Sequence, residues 1–246
     1  MMREISQPAP QPQWRAASIY APTNASKTGL LEETRIFLLA LEYHGTAEAA
    51  RRALLDGGLP QRSRETRATI VQVIQQRLTR WAPPVWVLED LIAFAHDHDT
   101  PSLPAALLLH VVRQDALLYD FVQGALGPRW RSGDHALVRA DVQRFLDLSL
   151  PAHPEIDGWS RETREKLAGN MLSILRDYGL LRGREQKHLV EPLIPPAVVA
   201  HLVRLLRAEG VSEEDLPAHP DWTLWLWDER RARQALRTLA AQEASA

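Results

Sequence analysis

Apolar residues along this chain recur mostly at intervals of three and four, the period of a helix with one buried face. From Leu30 to about Tyr43 the apolar positions are Leu31, Ile36, Leu38, Leu39 and Leu41, and the pattern breaks at Gly45. Thr46, a good helix cap, opens a second segment to about Leu55, which "DGGLP" ends with two glycines and a proline. Ser63 opens a third, predicted to reach about Trp81 with Ile70, Val73, Ile74, Leu78 and Trp81 on one face. Arg62, Arg64, Gln72, Gln76 and Arg80 fall on its opposite arc. "PPVWVLEDLIAFAH", "LPAALLLHVVRQ" and "ALLYDFVQGAL" read as three more helices, the last two apolar enough for the centre of the molecule. A helix is expected from about His135 to Leu148. After "PAHPEIDGW" comes a long one over 160–178, with Leu167, Met171, Ile174, Leu175 and Tyr178 inward and Arg161, Lys166, Ser173 and Arg176 outward.

The period changes once, at "LLRGREQKHLVEPLI", which reads as two short strands around a basic, glycine-containing turn. "PPAVVAHLVRLLRAEG" returns to helix, with proline at its start and glycine at its end. An acidic loop, the tryptophan-rich "WTLWLW" and a last helix from about Asp228 to Ala241 complete the chain. The expected fold is all-α: a compact multi-helix protein with helix-turn-helix-like ends and one small β-hairpin, or wing. Its expected parts are a disordered or extended proline-rich arm (1–17), an N-terminal helical region (18–133), a winged-helix-like region (134–210), and an acidic, Trp-rich tail with the last helix (211–246).

Composition narrows the class without naming a function. The 246 residues are 45% hydrophobic and 24% charged, ordinary for a soluble globular protein with a sizeable core. There is no cysteine, which excludes disulfides, thiol chemistry and cysteine-ligated zinc. The N-terminus lacks the apolar region of a secretory signal, and the most apolar run, "LPAALLLHVV", is too short to span a bilayer. A soluble, cytoplasmic protein is expected. The net charge of −2 hides two opposed lobes. Residues 51–81 hold seven arginines against Asp56 and Glu65, and residues 208–229 hold seven acids and no Lys or Arg.

The pentamer "SRETR" stands at 63–67 and again at 160–164, each time before an apolar-periodic stretch. Ser63 and Ser160 suit helix N-caps, and Glu65 and Glu162 suit the positive end of the helix dipole. Arginines in a first turn oppose that dipole. Arg64, Arg67, Arg161 and Arg164 therefore need another reason, for which a phosphate backbone and paired surface charges are the two candidates. The second copy lies in a helix–turn–longer helix–hairpin series, the order of a winged helix-turn-helix. There Arg161, Arg164 and Lys166 would line the reading helix, with Arg182, Arg184 and Lys187 in the wing. Arg62, Arg64, Arg67 and Arg80 would form the second basic surface.

Signatures of catalysis are missing: no glycine-rich phosphate loop, nucleophile elbow or His-Glu-x-x-His run. No cofactor, metal or small-molecule substrate is expected. "HDHD" at 96–99 offers His96 and His98 as metal ligands, but its place at a helix C-terminus favours histidine for dipole reasons. His153 and His219 precede prolines in turns and read as structural. Trp222, Trp225 and Trp227 lie in acidic surroundings that repel nucleic acid, and read as core or protein interface.

The order of motifs resembles the BrxA family of BREX phage-defence systems. The resemblance is carried by "TGLLEETR", "QRSRETRATIVQVIQQRL", "HPEIDGWSRETREKLAGNMLSILRDYGLL" and "LIPPAVVAHL", over about Ser18 to Trp227. It implies a compact helical protein with helix-turn-helix-like ends and no catalytic centre, its helical core similar to that of the antitermination factor NusB. It also implies association with double-stranded DNA, beside a methyltransferase and ATPases of the same operon. An inner-membrane label sometimes given to the family conflicts with the absence of any apolar span. Two functions stay open: a DNA-binding component that grips phosphate, or an adaptor docking other BREX subunits through its charged lobes.

Overall fold

Local chemistry sets most helix boundaries. Helix α1 (Leu31–His44) ends where Gly45 turns left-handed at φ 73° and returns its N–H to the Leu41 carbonyl. Thr46 Oγ1 accepts the Ala49 N–H to start α2 (Ala47–Ala53), which runs into a π-turn over Leu54–Gly58. Helix α3 (Arg64–Leu78) begins at Ser63, whose hydroxyl accepts the Thr66 N–H at 3.3 Å. It stops three residues before the expected end; Trp81 follows in a turn and packs half-buried against the core. The buried face also differs from the expected one. Val71 and Arg77 are inside while Val73 is only half-buried, because the Arg77 guanidinium donates inward to the carbonyls of Gly29 and Thr28, each at 3.0 Å. The computed structural model describes residues 19–22 and 27–244; the expected arm over 1–17 lies outside the described residues.

Helices α4 (Val85–His96) and α5 (Ser102–Arg113) lead to the centre of the molecule. Every residue of α5 except Pro104 is buried, surrounded by α3, α4 and three later elements: α6 (Ala116–Phe121), α10 (Pro196–Ala208) and a 3-10 segment over Pro220–Trp225. A π-turn at Val122–Leu126 joins α6 to α7 (Gly127–Ser132). Two buried polar groups secure this centre. The Arg113 guanidinium lies between Glu209 (2.6 Å) and Asp221 (3.0 Å), and Asp221 also accepts the Tyr119 hydroxyl at 2.8 Å. Asp90, His201 and His110 form a chain across α4, α10 and α5, at 2.7 Å and 2.8 Å.

One expected element is corrected. Residues at the start of the helix predicted from His135 form a strand, β1 (Ala136–Leu137), and α8 (Arg139–Ser149) begins only where the Asp141 carboxylate accepts the Val138 N–H at 2.8 Å. The 3-10 turn Pro154–Gly158 leads to α9 (Arg161–Asp177), then β2 (Leu181–Arg182) and β3 (Lys187–Leu189). Ala136 pairs with His188 and Leu137 with Lys187, so the hairpin belongs to a three-stranded antiparallel sheet of order β1–β3–β2. The pairing partner lies some fifty residues away, beyond the reach of a local apolar period.

The final helix, α11 (Glu229–Glu243), packs on α10 and the turn Leu216–Ala218. The aromatic stretch before it is no separate tail. Trp222 and Trp225 are fully buried and Trp227 nearly so; the Trp225 ring N–H donates to the Ala105 carbonyl of α5 at 3.3 Å. Buried residues from Tyr20 to Ala232 form one apolar cluster that includes all three expected regions after the arm. Eleven α-helices and three short strands occur among the described residues, a mostly α fold with one small sheet. Among the described residues no helix is long and apolar enough to cross a membrane.

Candidate nucleic-acid interface

The repeated pentamer builds the same helix start twice. Ser63 and Ser160 accept the N–H of Thr66 and Thr163, at 3.3 Å and 3.1 Å. The last arginine of each copy then reaches back to the turn before its helix. Arg67 donates to the carbonyls of Leu55 (2.9 Å), Gln61 (2.6 Å) and Arg62 (3.0 Å). Arg164 donates to the Ile156 carbonyl (2.9 Å) and lies 3.5 Å from the Asp147 carboxylate. The Arg67 guanidinium serves turn carbonyls before α3, and Arg164 adds a second donor to the Ile156 carbonyl, which also accepts the Trp159 N–H at 3.0 Å, so both are engaged within the protein. An internal role of this kind is neither of the two expected reasons, a phosphate backbone or a paired surface charge.

The first arginine of each copy faces outward. Arg64 is exposed and 3.3 Å from Asp56. The Arg161 side chain is 93% exposed and pairs with Glu165 at 2.8 Å, which raises its already high pKa. Lys166 pairs with Glu162 at 2.7 Å, and that hydrogen bond lowers the carboxyl pKa of Glu162. The outward charges at the start of α9 therefore cancel in pairs, Arg161 and Lys166 each answered four residues away. Arg62 and Arg80 are exposed at the two ends of α3, without an ion-pair partner among the described residues. Since the ends of α3 and α9 both close on residue 29, through Arg77 and the Tyr178 hydroxyl, the two pentamers lie at the far ends of these helices from that shared anchor.

In the hairpin, Arg182 and Arg184 are exposed and carry no ion pair among the described residues. Gly183 between them has φ 102°, and a Cβ there would lie 2.3 Å from the Gln186 carbonyl, so the turn needs glycine. Lys187 departs from expectation. It is only 7% exposed, and its ammonium donates to the Arg184 carbonyl at 2.7 Å, closing the turn from beneath. Burial lowers its pKa first, and the nearby Arg176 and Arg139 lower it further. Arg139 was not among the expected residues, because a helix expected from His135 hides its place in the first turn of α8.

The remaining candidates resolve into structure. His96 at the end of α4 hydrogen-bonds Glu42 at 2.7 Å, and no group of three or more acidic or His side chains set to hold a metal occurs among the described residues. His153 stacks on Tyr20 at 3.5 Å, and His219 accepts the Asp221 N–H.

With this geometry in view, comparison with known proteins decides the family. The BrxA family model matches residues 18–205. The chain belongs to the BrxA family. That makes it a component of BREX phage defence. A crystal structure of an uncharacterized protein from Magnetospirillum magneticum is similar, at 21% identity and a TM-score of 0.62, over 77% of this chain and 97% of that one. At that identity the likeness is one of fold. No curated protein matches the chain significantly. The family match ends inside α10, so the acidic loop, the tryptophans and α11 lie beyond it.

Proposed function

We propose that this BrxA-family protein binds double-stranded DNA without carrying out catalysis, and that residues 136–189 act as its winged helix-turn-helix. The supporting observation is the β1–β3–β2 strand order. It folds the hairpin back beside α9, so that a strand, two helices and a two-stranded wing follow in the sequence such modules use. In this reading α9 approaches a groove with Arg161 and Lys166 near its start. Arg182 and Arg184 at the wing tip meet a phosphate strand, and Arg62, Arg64 and Arg80 of α3 offer a second basic surface. Arg67, Arg164 and Lys187 hold these elements in place. Contacts of this kind supply affinity and register more than sequence reading.

The test is fluorescence anisotropy of a labelled duplex across a salt series. Binding is expected with a log–log slope near −0.9 per phosphate contact, and Arg182→Ala/Arg184→Ala should flatten it by roughly two contacts. Absence of binding at low salt would overturn the reading. The specific observation favouring the alternative is the mixed charge at the start of α9. Alternating Arg161, Glu162, Glu165 and Lys166, paired within the helix, would equally suit an adaptor surface docking another BREX subunit. That reading calls for stable co-purification with such a subunit, and for its loss on reversing the charges of Glu162 and Glu165.

A further inference from the structure

Three cations from three separate elements meet beside the outer face of α9, away from the pentamers. Arg139 is the first residue of α8, and it follows by two residues the Leu137 that pairs with Lys187 of β3. Its guanidinium lies flat against α9: a Cβ added to Gly169 would stand 3.4 Å from both Cζ and Nε of Arg139. Arg176 is seven residues after Gly169, on the same face two turns along, roughly 10 Å up the axis. Lys187 lies under the wing.

The charges here do not cancel. Asp177 answers Arg176 at 2.8 Å, but its other oxygen accepts the Gly29 N–H at 3.2 Å. Asp141, the acid nearest Arg139 in the chain, is taken up by the Val138 N–H and by Arg129 at 2.9 Å. Arg139 is exposed and has no ion-pair partner among the described residues. It also stands at the first helical position, where positive charge opposes the dipole. Burial first, then both arginines, disfavour the charged form of Lys187, against a smaller opposing effect of Asp177. An excess of positive charge gathered from three elements, offset in part by Asp177 and with Arg139 seated on a glycine, is the arrangement that an external anion completes.

We propose that Arg139, seated on Gly169 and flanked by Arg176, is the principal phosphate clamp of the protein, and that its occupant is the phosphodiester backbone of duplex DNA. This rests on the DNA-binding reading above. It moves the grip from the paired start of α9 to the far half of the helix, where α8, α9 and the wing converge.

The experiment measures duplex affinity against salt for wild type, Arg139→Gln, Arg176→Gln, Gly169→Val and Arg144→Gln. Thermal midpoints confirm that each variant is folded. Arg144 is an exposed arginine on the same helix, so Arg144→Gln removes the same charge without touching the clamp. Gly169→Val keeps every charge and displaces the Arg139 guanidinium from its seat. The proposal expects Arg139→Gln and Arg176→Gln each to reduce the slope by about 0.9, and Gly169→Val to reproduce much of the Arg139→Gln loss. Arg144→Gln should leave the slope as in wild type. If wild type binds and Arg139→Gln behaves as Arg144→Gln does, the clamp is wrong while DNA binding stands. If wild type does not bind, both fail. A loss in Arg139→Gln with none in Gly169→Val would overturn the seated geometry and leave only a general charge effect.

Discussion

At the scale of single residues, the two arginines of each pentamer do different jobs. Arg67 and Arg164 each hold turn carbonyls; without Arg67 the Gln61 and Arg62 oxygens lose its donors, whereas without Arg164 the Ile156 oxygen keeps the Trp159 N–H. Arg67→Ala should cost about 1–3 kcal/mol and Arg164→Ala about 0.5–1.5 kcal/mol, read as a lower urea midpoint at unchanged slope. Arg64→Ala and Arg161→Ala remove solvated, singly paired charges and should leave the midpoint where it is. Equal effects for inner and outer arginines would show that the two roles are not distinct. Serine as cap and glutamate near the dipole were legible from the pentamer alone. The inward reach of the second arginine was not, because it depends on a preceding turn whose carbonyls only the folded backbone brings into range.

At the scale of elements, the apolar period located nearly every helix, and the structure departs from it where the chain answers a distant partner. The first turn of the helix expected from His135 was lost to pairing with β3. The inward face of α3 was rotated by Arg77 reaching residues 28 and 29. The Asp90–His201–His110 chain is of the same kind: three residues unremarkable alone, joined by the packing of α4, α5 and α10. With the His201 Nδ1–H donated to Asp90, its Nε2 can accept the Nε2–H of His110, which joins the three groups in one chain. Burial first, then His201 and Arg113, hold the His110 pKa well below its ordinary value. The folded state therefore keeps His110 neutral where the unfolded chain takes up a proton. Its contribution to stability is intact above the unfolded value near 6.5 and is lost as pH falls below it. Denaturation between pH 7.5 and 5.5, above the carboxylate range, should show stability declining by up to about 1.4 kcal/mol per pH unit. His110→Asn should remove that decline. An unchanged slope in the variant would assign it to other groups.

At the scale of the whole molecule, the core extends past the residues the family model matches. The match closes at residue 205, yet Trp222 and Trp225 fill the space against α5, and Asp221 with Glu209 neutralises the buried Arg113. Sequence alone marked these tryptophans as core or interface; it could not choose, since three aromatics in an acidic loop fit either. The choice has a measurable consequence. Ending the chain after residue 209 would remove Asp221, with about 3–5 kcal/mol expected for a buried charge deprived of a partner. It would also remove two fully buried tryptophans, each worth a further ~3–5 kcal/mol. Together these exceed or match the whole stability of most domains of this size, so that protein should be insoluble or unfolded by circular dichroism. Ending it after Trp227 keeps all of these groups and deletes α11 and its flanking residues, of which Ala232 alone is buried among the described residues. This shorter loss should leave a cooperative, folded protein with a modestly lower melting temperature. On the DNA-binding proposal it should also leave duplex affinity intact, because the final helix packs chiefly on α10 and the turn Leu216–Ala218. A collapse of both truncations alike would place the structural boundary at the last helix instead of the tryptophans.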